Sequence, residues 1–393
     1  MPLPLEGITV VSIEQAVAAP FATRQLADLG ARVIKVERPG AGDFARGYDE
    51  SVHGQSSYFV WINRSKESLS CDLKSPEGLA VVERLLEDAD VFVQNLAPGA
   101  AGRLGLTAAT LQERHPGLIV CDITGFGSDG PWWDHKAYDL LVQCETGLVS
   151  LTGTPEFPAK AGISVADIAA GMYAYSGILA ALFQRARTGV AASLEVSLFE
   201  ALAEWMGSPA YYTEYSGRQP HRVGIEHATI APYGPYPAGD GAVVLVAIQN
   251  EREWASFCRT VLADPDVATD LRFRRNSDRV AHREELNDVI RRRFALLTEP
   301  EVGALLDRAD VAHARVNDVR GLLEHPVLSG RDRWRDVQTP QGTIRALLPP
   351  ASLSGTEPRM DPVPAVGEHT ATILASLGYD EQRIEQLRAD GAI

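Results

Sequence analysis

The segment at residues 26–46 constrains the fold more than any other part of this chain. A helix over residues 21–29 is predicted to end at Gly30, because glycine readily takes the left-handed conformation that follows a helix. An apolar strand over residues 32–36 comes next and ends in a charged turn that contains proline. Together with an earlier apolar strand at residues 8–13, this segment makes a β-α-β unit, which favours a parallel sheet covered by helices.

The first turn of this unit lacks the glycine fingerprint of dinucleotide-binding proteins. The strand at residues 8–13 runs into SIEQAVAAP, which contains no G-x-G-x-x-G turn that would let a backbone approach a pyrophosphate. Glu37 stands where a ribose-binding acid often lies, so an NAD(P) oxidoreductase is an alternative, but the missing glycines count against it. The unit is Rossmann-like and is predicted to bind a different ligand.

Alternating strands and helices continue to about residue 205 and then give way to a different pattern. Further strands are predicted at residues 91–94, 118–123 and 242–248, and helices at residues 76–86, 168–188, 194–212, 252–262, 283–297, 369–377 and 380–388. We therefore expect an α/β fold with a parallel sheet in a large domain over residues 1–205. A linker over 206–239, a small α+β domain over 240–325 and a linker with a C-terminal return to the large domain over 326–393 follow.

The bulk composition limits the classes of partner. A formal net charge of −15 and a pI near 5.1 argue against nucleic acid. No apolar run is expected to span a membrane, and the first residues lack the features of a signal peptide. Cysteines occur without metal-ligand or C-x-x-C spacing, which predicts reduced thiols, no metal site and a cytoplasmic location.

Two aspartates are predicted at helix starts. Asp167 precedes a helix whose first turns carry mostly small residues, so that another backbone or a narrow ligand could approach closely. A helix N-terminus stabilises an ionised carboxylate by about 0.3–1 kcal/mol. Asp139 lies in KAYDLLVQCETG, at a second predicted helix start. Each aspartate is either an N-cap or an active-site carboxylate, and the residues alone do not decide between the two.

Several cations and one amide follow predicted strands and turns. They are Arg38, Lys74, Asn95, Arg103 and Lys136. Cations at strand ends suit a ligand that carries phosphate, although a solvated surface also explains any one of them.

Taken together, these segments resemble the class III CoA-transferases, the superfamily that also holds formyl-CoA transferase, carnitine CoA-transferase and α-methylacyl-CoA racemase. The resemblance runs nearly from end to end, through NRSKESLSCDLKSPEG, ADVFVQNLAPGAAGRLGL, KAYDLLVQCETGL and VADIAAGMYAYSGILAALFQRARTG. It implies a Rossmann-type large domain built from both ends of the chain. It also implies a homodimer whose two chains pass through each other like linked rings.

The resemblance also implies roles for residues. Asp167 is the nucleophile that forms an aspartyl anhydride and then an aspartyl-CoA thioester, and Asp139 matches a second active-site carboxylate. The residues that stand where the family contacts coenzyme A are Arg38, Lys74, Asn95, Arg103, Lys136 and Val17. Val17 replaces a glutamine of formyl-CoA transferase, which argues against formate and oxalate chemistry. Oxyanion donors are expected among backbone N–H groups near Asp167 or in a glycine-containing loop, for which Gly224 and its neighbours are preferred over His227.

The resemblance also bears on the substrate and on two alternative functions. The N-terminal blocks look like those of the mesaconyl-CoA C1–C4 transferase type, which implies a short-chain dicarboxylic acyl-CoA, with Arg46 or His53 pairing the second carboxylate. A racemase would need a histidine where this chain has Tyr138, and a phenol with a pKa near 10 is a poor general base at neutral pH. A catalytically inactive CoA-binding protein is the other alternative, which the presence of Asp167 in its small-residue surroundings disfavours.

Overall fold

The computed structural model describes residues 1–393. Its strands are β1 (Thr9–Ile13), β2 (Arg32–Glu37), β3 (Lys66–Ser70), β4 (Val91–Gln94), β5 (Ile119–Thr124), β6 (Leu194–Ser197), β7 (Tyr233–Pro237), β8 (Val243–Ala247), β9 (Ala312–Arg315), β10 (Trp334–Thr339) and β11 (Gly342–Leu347). Its helices are α1 (Ala18–Asp28), α2 (Ser57–Ile62), α3 (Pro76–Leu86), α4 (Ala100–Arg103), α5 (Ala108–Arg114), α6 (Asp139–Glu145), α7 (Val165–Thr188), α8 (Leu198–Trp205), α9 (Gly207–Ser216), α10 (Glu251–Phe257), α11 (Asn276–Ala281), α12 (Arg283–Phe294), α13 (Glu299–Ala309), α14 (Val319–Leu323), α15 (Pro326–Gly330), α16 (Thr370–Ser376) and α17 (Glu381–Ala389). Short 3₁₀ turns lie at Phe44–Gly47, Leu148–Ser150 and Pro265–Ala268, and a π-helical turn at Cys258–Leu262.

Strands β1 to β6 form one wholly parallel sheet in the order β3-β2-β1-β4-β5-β6. This is the doubly wound order, in which the chain reverses direction across the sheet between β1 and β4. Ligands of such sheets bind beyond the carboxyl ends of the strands at this reversal. The α/β class and the parallel sheet expected from the sequence are confirmed.

The two faces of the sheet bury separate apolar clusters, because successive side chains of a strand point to opposite faces. Val10 of β1 packs in one cluster with α1, α7 and α8, and Val11 packs in the other with α3, α5 and the C-terminal helices α16 and α17. The C-terminal segment therefore completes the core of the sheet. Backbone and side-chain bonds fix it there, since Ala392 O accepts from Asp72 N at 2.8 Å and His369 Nδ1 accepts from Ser68 N at 3.2 Å.

The chain divides into two compact units. The first comprises Met1–Leu148, Ala161–Ser208 and Gly330–Ile393, and holds the parallel sheet and the β10–β11 hairpin. The second comprises Val149–Lys160 and Pro209–Ser329, in which the antiparallel sheet β7-β8-β9 shares a core with α10, α12 and α13. Where the sequence predicted a linker over residues 206–239, the chain forms α9 and β7.

Two further local expectations were wrong. The predicted helix at residues 194–212 begins as the edge strand β6, because Leu194 to Ser197 pair with β5, and Ser197 then caps α8 by accepting from Glu200 N at 3.0 Å. Strand β3 went unrecognised because KESLS is rich in polar residues, whereas its Lys66 is in fact buried in an ionic network.

Helix α7 also corrects the expectation about membrane spans. By length and composition alone it is apolar enough to cross a bilayer, although core helices of soluble proteins pass the same test. Its buried residues, among them Ala166, Ala170 and Ala174, pack in the core beside α1 and the sheet.

Candidate active site

The N-terminus of α7 lies at the carboxyl edge of the sheet. Helix α7 leads into β6, which runs parallel to β5, so the helix runs opposite to the strands and begins where they end. The helix starts at Val165, three residues earlier than expected, which makes Asp167 its third residue and leaves its carboxylate half-buried. Asp167 is therefore inside the first turn rather than in front of it.

Asp139 caps this helix from a different element. Its Oδ1 accepts from Ala166 N at 2.7 Å and from Asp167 N at 3.4 Å. Ser164 occupies the N-cap position of α7 but makes no side-chain capping bond, so Asp139 supplies the acceptor that a local cap usually supplies. The structure thus brings the two aspartates of the sequence analysis together.

Gln143 holds Asp139 in place. The Gln143 side chain is fully buried, and its Nε2 donates to Asp139 Oδ2 at 2.6 Å while its Oε1 accepts from Ala161 N at 2.9 Å. The sequence analysis did not single out Gln143. The signal was present as an Asp and a Gln four residues apart on one predicted helix, a spacing at which side chains meet.

The Asp167 carboxylate is electrostatically perturbed. Burial raises its pKa, and the neighbouring Asp139 carboxylate raises it further, to about 7. Two carboxylates beside one helix terminus are a common arrangement at functional sites, where one group has to change its charge during the reaction. At neutral pH a substantial fraction of Asp167 is ionised and able to act as a nucleophile.

Small residues let α1 approach α7 one turn beyond Asp167. A Cβ atom added at Gly171 would lie 2.7 Å from Ala18 O, so this close crossing requires glycine. Val17 is the N-cap residue of α1, and the whole residue is only 2% exposed. Its side chain is therefore packed inside the protein.

Asn95 lies at the reversal point between β1 and β4, but its side chain is engaged within the protein. Its Oδ1 accepts from Gln15 N at 2.9 Å and its Nδ2 donates to Gln15 O at 2.9 Å. Ala16, which follows Gln15 in the chain, has a left-handed backbone with φ of 60°, and its N–H donates to Asp43 Oδ1 at 3.1 Å. Asn95 thus positions the loop after β1, a role that its sequence context did not reveal.

A buried ionic network lies beneath this loop. Lys35 Nζ is 2.7 Å from Asp43 Oδ2, and Lys66 Nζ is 2.7 Å from Glu14 Oε1, with all four side chains buried. Burial opposes the charged form of each group, but the opposite charges hold the pKa of Glu14 below its usual value and raise that of Lys35. The network was missed from sequence because Lys35 looks like an ordinary residue of a predicted strand, and the strand that carries Lys66 was not predicted.

The remaining cations expected at the CoA site all follow a strand of the parallel sheet. Arg38 follows β2, Lys74 follows β3, Arg103 follows β4 and Lys136 follows β5, and all four residues are exposed. Lys74, Arg103 and Lys136 have no side-chain partner in this chain, whereas Arg38 donates weakly to Gly42 O at 3.3 Å. Because the carboxyl ends of parallel strands share one edge, these cations stand on the same edge as Asp167.

Neither of the two residues expected to pair with the second carboxylate of a dicarboxylic substrate is well placed to do so. Arg46 forms a two-bond ion pair with Glu37, at 2.9 and 2.7 Å, and its guanidinium also stacks 3.6 Å from the centre of the Phe59 ring. His53 is exposed, with Nε2 3.3 Å from Thr343 O. Arg46 is therefore a structural residue, and the expectation that it binds substrate is wrong.

The expected oxyanion donors near Gly224 are also engaged. Within the second unit, Gly224 N donates to Gly153 O at 2.9 Å and His227 N donates to Tyr233 O at 2.9 Å. The carbonyl oxygen of His227 accepts from Arg283 at 2.7 Å. These bonds tie the segment to its own unit, so the structure lends no support to Gly224 as an oxyanion donor.

One phenol group, that of Tyr48, lies close enough to Asp167 for the two side chains to interact electrostatically. Tyr48 packs against Tyr58 with ring centres 5.5 Å apart. Burial is the main reason that the pKa of Tyr48 is raised to about 12, and nearby Asp43 and Asp167 add to the effect. The Tyr48 phenol is therefore a neutral hydrogen-bond donor at physiological pH.

Comparisons with known proteins identify relatives along the whole chain. The model of CoA-transferase family III matches residues 5–370. The chain is 35% identical over 384 residues to the succinate–glutarate CoA-transferase of Agrobacterium fabrum, covering 95% of this chain and 96% of that protein. It is 33% identical over 395 residues to the succinyl-CoA:glutarate CoA-transferase of Mus musculus, covering 99% and 90%. The crystal structure of a CAIB/BAIF family protein from Brucella suis superimposes with a TM-score of 0.84 at 33% identity, covering 96% of this chain and all of that one.

Proposed function

The chain belongs to CoA-transferase family III and is an enzyme that transfers CoA. From this premise we propose that it moves CoA from an acyl-CoA thioester to a short-chain dicarboxylic acid through covalent intermediates on Asp167. One observation carries the proposal. Asp167 lies at the carboxyl edge of a doubly wound sheet, at a helix terminus that a second carboxylate caps, on the edge that also presents the unpaired cations.

The proposed reaction exchanges one thioester for another. An Asp167 oxygen attacks the thioester carbonyl of the donor, the C–S bond breaks, and a mixed aspartyl anhydride and CoA thiolate result. The thiolate then attacks the aspartyl carbonyl and releases the donor acid as its carboxylate, leaving an aspartyl-CoA thioester. The acceptor carboxylate reverses both steps and leaves with CoA. Because the bonds made and broken are of the same kind, splitting the exchange at a covalent intermediate is a suitable form of catalysis.

The raised pKa of Asp167 fits a nucleophile that loses its charge on acylation. The partly buried site and the Asp139 charge both disfavour the ionised carboxylate, and acylation removes that unfavourable charge. The cations Lys74, Arg103 and Lys136 are suited to the phosphates of CoA. Asn95, through its side-chain bonds to Gln15, and the buried Val17 are proposed to shape the CoA site by holding the loop after β1 in place.

We test this function by exchange of CoA between acids. The protein is incubated with succinyl-CoA and a panel of acids that contains glutarate, mesaconate, acetate and oxalate, and new thioesters are identified by mass spectrometry. New glutaryl- or mesaconyl-CoA that is absent with Asp167→Ala supports the proposal, as does an Asp167 hydroxamate after hydroxylamine treatment. Exchange of an α-proton with deuterated water and no new thioester would instead favour the racemase alternative. CoA binding without either reaction would favour an inactive binding protein.

The preference for dicarboxylic acids is proposed from the names of the relatives and from the Tyr48 phenol near Asp167. Because Arg46 is paired with Glu37, we assign the second carboxylate of the acceptor to hydrogen bonds from Tyr48 and its neighbours. Tyr48→Phe should raise KM for glutarate several-fold and leave KM for acetate unchanged. An equal change for both acids would contradict this assignment.

A homodimer of interlocked chains is also part of the proposal. Helix α9 has no buried residue, and its Tyr211 and Tyr215 side chains are 69% and 83% exposed. Exposed aromatic residues in such numbers on a helix are typical of an interface. Light scattering should give the mass of a dimer, and a monomer would contradict the linked-ring architecture. A cytoplasmic location is proposed in keeping with four free cysteines.

A further inference from the structure

We propose that Gln143 is a positioning residue for Asp167, acting through Asp139, so that one buried amide sets the geometry of the nucleophile. The inference rests on the proposed function of Asp167. Neither the family resemblance nor the relatives assign a role to this side chain.

The hydrogen bonds run in an unbroken chain from Gln143 to the first turn of α7. Gln143 Nε2 donates to Asp139 Oδ2 at 2.6 Å, which turns the other oxygen of that carboxylate toward α7. That oxygen accepts from Ala166 N at 2.7 Å and from Asp167 N at 3.4 Å. The orientation of the Asp139 carboxylate therefore determines which N–H groups of α7 are capped.

The same amide also fixes the segment that leads into the helix. Gln143 Oε1 accepts from Ala161 N at 2.9 Å, four residues before α7 begins. The amide thus connects α6, the approach to α7 and the cap of α7, while its side chain is completely excluded from solvent. A buried amide that uses both its donor and its acceptor in this way is costly to replace, because either lost partner leaves a buried polar group unsatisfied.

Only a side chain with a donor and an acceptor at this reach can satisfy both partners. Leucine would have a similar size but would leave Asp139 Oδ2 without its donor. A protonated glutamic acid could replace both bonds, with its O–H donating to Asp139 and its carbonyl oxygen accepting from Ala161 N. An ionised glutamate would instead add a negative charge beside Asp139 and Asp167, the two titratable groups joined to this network.

The experiment compares Gln143→Leu and Gln143→Glu with the wild-type protein. The control is Gln184→Glu, which makes the same chemical change at an exposed position of α7. Succinyl-CoA and glutarate are the substrates, kcat and KM are measured from pH 5.5 to 8.5, and circular dichroism verifies folding. Hydroxylamine trapping at Asp167 reports the first covalent step separately from binding.

We expect Gln143→Leu to lower kcat at least tenfold and to change KM for succinyl-CoA less than twofold, because Lys74 and Arg103, two of the three cations proposed to bind CoA phosphates, lie on other loops. Gln143→Glu should recover most of kcat at pH 5.5, relative to wild type at the same pH, and lose it as the pH rises. The control should follow the wild type. Hydroxylamine trapping should fall in parallel with kcat.

Two results would overturn the inference. One is a Gln143→Leu variant whose kcat stays within twofold of wild type. The other is a Gln143→Glu variant whose kcat, relative to wild type, shows no recovery at low pH, since that pattern would indicate packing and not hydrogen bonding. If Gln143→Leu does not fold, the pH dependence of Gln143→Glu decides alone. Asp167→Ala is measured alongside. Transfer activity in Asp167→Ala would refute Asp167 as the nucleophile. If Asp167→Ala is inactive but the Gln143 variants have wild-type activity, only the inference about Gln143 is refuted.

Discussion

Replacing Asp167 by asparagine should make the protein more stable at alkaline pH while abolishing transfer. Asparagine keeps the size of the side chain but cannot ionise. In the wild type, burial and the Asp139 carboxylate oppose the ionised form of Asp167 and raise its pKa from the ordinary aspartate value of about 3.9 to about 7. The folded protein therefore holds this proton more tightly than the unfolded chain does.

The sign and the size of the effect follow from this difference. Between about pH 4 and pH 7 the unfolded state binds fewer protons at this position than the folded state, so its contribution to stability falls as the pH rises. At ~1.4 kcal/mol for each unit of pKa, complete ionisation costs the folded state up to ~4 kcal/mol. Asp167 is partly exposed, and solvent screening reduces the expected gain of the variant at pH 8 to about 2–4 kcal/mol.

The assay is urea unfolding of wild type and Asp167→Asn at pH 4.5, 6 and 8, followed by tryptophan fluorescence and circular dichroism. The advantage of the variant should be smallest at pH 4.5, at about 1 kcal/mol or less, and should grow through pH 6 to its full size at pH 8. Asp134→Asn, at an exposed carboxylate, is the matched control and should show no such trend. A difference between Asp167→Asn and wild type that stays constant with pH would refute the reasoning.

Three further substitutions test the edge of the sheet. Asp139→Asn keeps an acceptor for Ala166 N but removes the negative charge that raises the pKa of Asp167. The acid limb of the pH profile of kcat/KM should therefore move below about pH 7. A limb that does not move would contradict the electrostatic coupling of Asp139 to Asp167. Lys74→Ala should raise KM for succinyl-CoA about tenfold with little change in kcat, as expected for one lost phosphate contact; an unchanged KM would remove Lys74 from the CoA site. Lys35→Met should destabilise the protein by about 3–5 kcal/mol in urea unfolding, because it leaves Asp43 buried without its cation, and a loss below 1 kcal/mol would show that water reaches the network.

The fold was predictable where local pattern and tertiary context agree. The strands β1, β2, β4 and β5 were recognised because each is a short, mostly apolar run, as is typical of strands buried on both faces of a parallel sheet. Helix α3 was recognised from the helical spacing of its apolar residues. Strands β3 and β6 were missed because they lie at the two edges of the sheet, where sequence is more polar and the alternation is short. Pairing with a neighbour, which the local sequence does not record, makes them strands.

The site was predictable in its residue types but not in its connections. Asp167 and Asp139 stood out through helix-start patterns and family motifs. That Asp139 caps the helix of Asp167 across 27 residues, and that Gln143 orients it, depends on how α6 packs against α7. Arg46 illustrates the opposite error, because an arginine beside a glycine-rich turn resembles a ligand contact until its partner Glu37 is seen.

The charges at the carboxyl edge fall into two groups with different physical roles. The buried cations Lys35 and Lys66 form ion pairs with buried carboxylates, and these ion pairs hold the loop after β1 in place. The exposed cations that follow β3, β4 and β5 have no partner in the chain, although the protein as a whole carries a net charge of −15. An acidic protein that leaves these cations unpaired along one sheet edge concentrates anionic ligands there. Asp167 and Asp139 form a carboxylate pair at a helix terminus on the same edge. In the proposed function the ligand brings its neutral thioester to this pair, so the two ends of an acyl-CoA would meet surroundings of opposite charge.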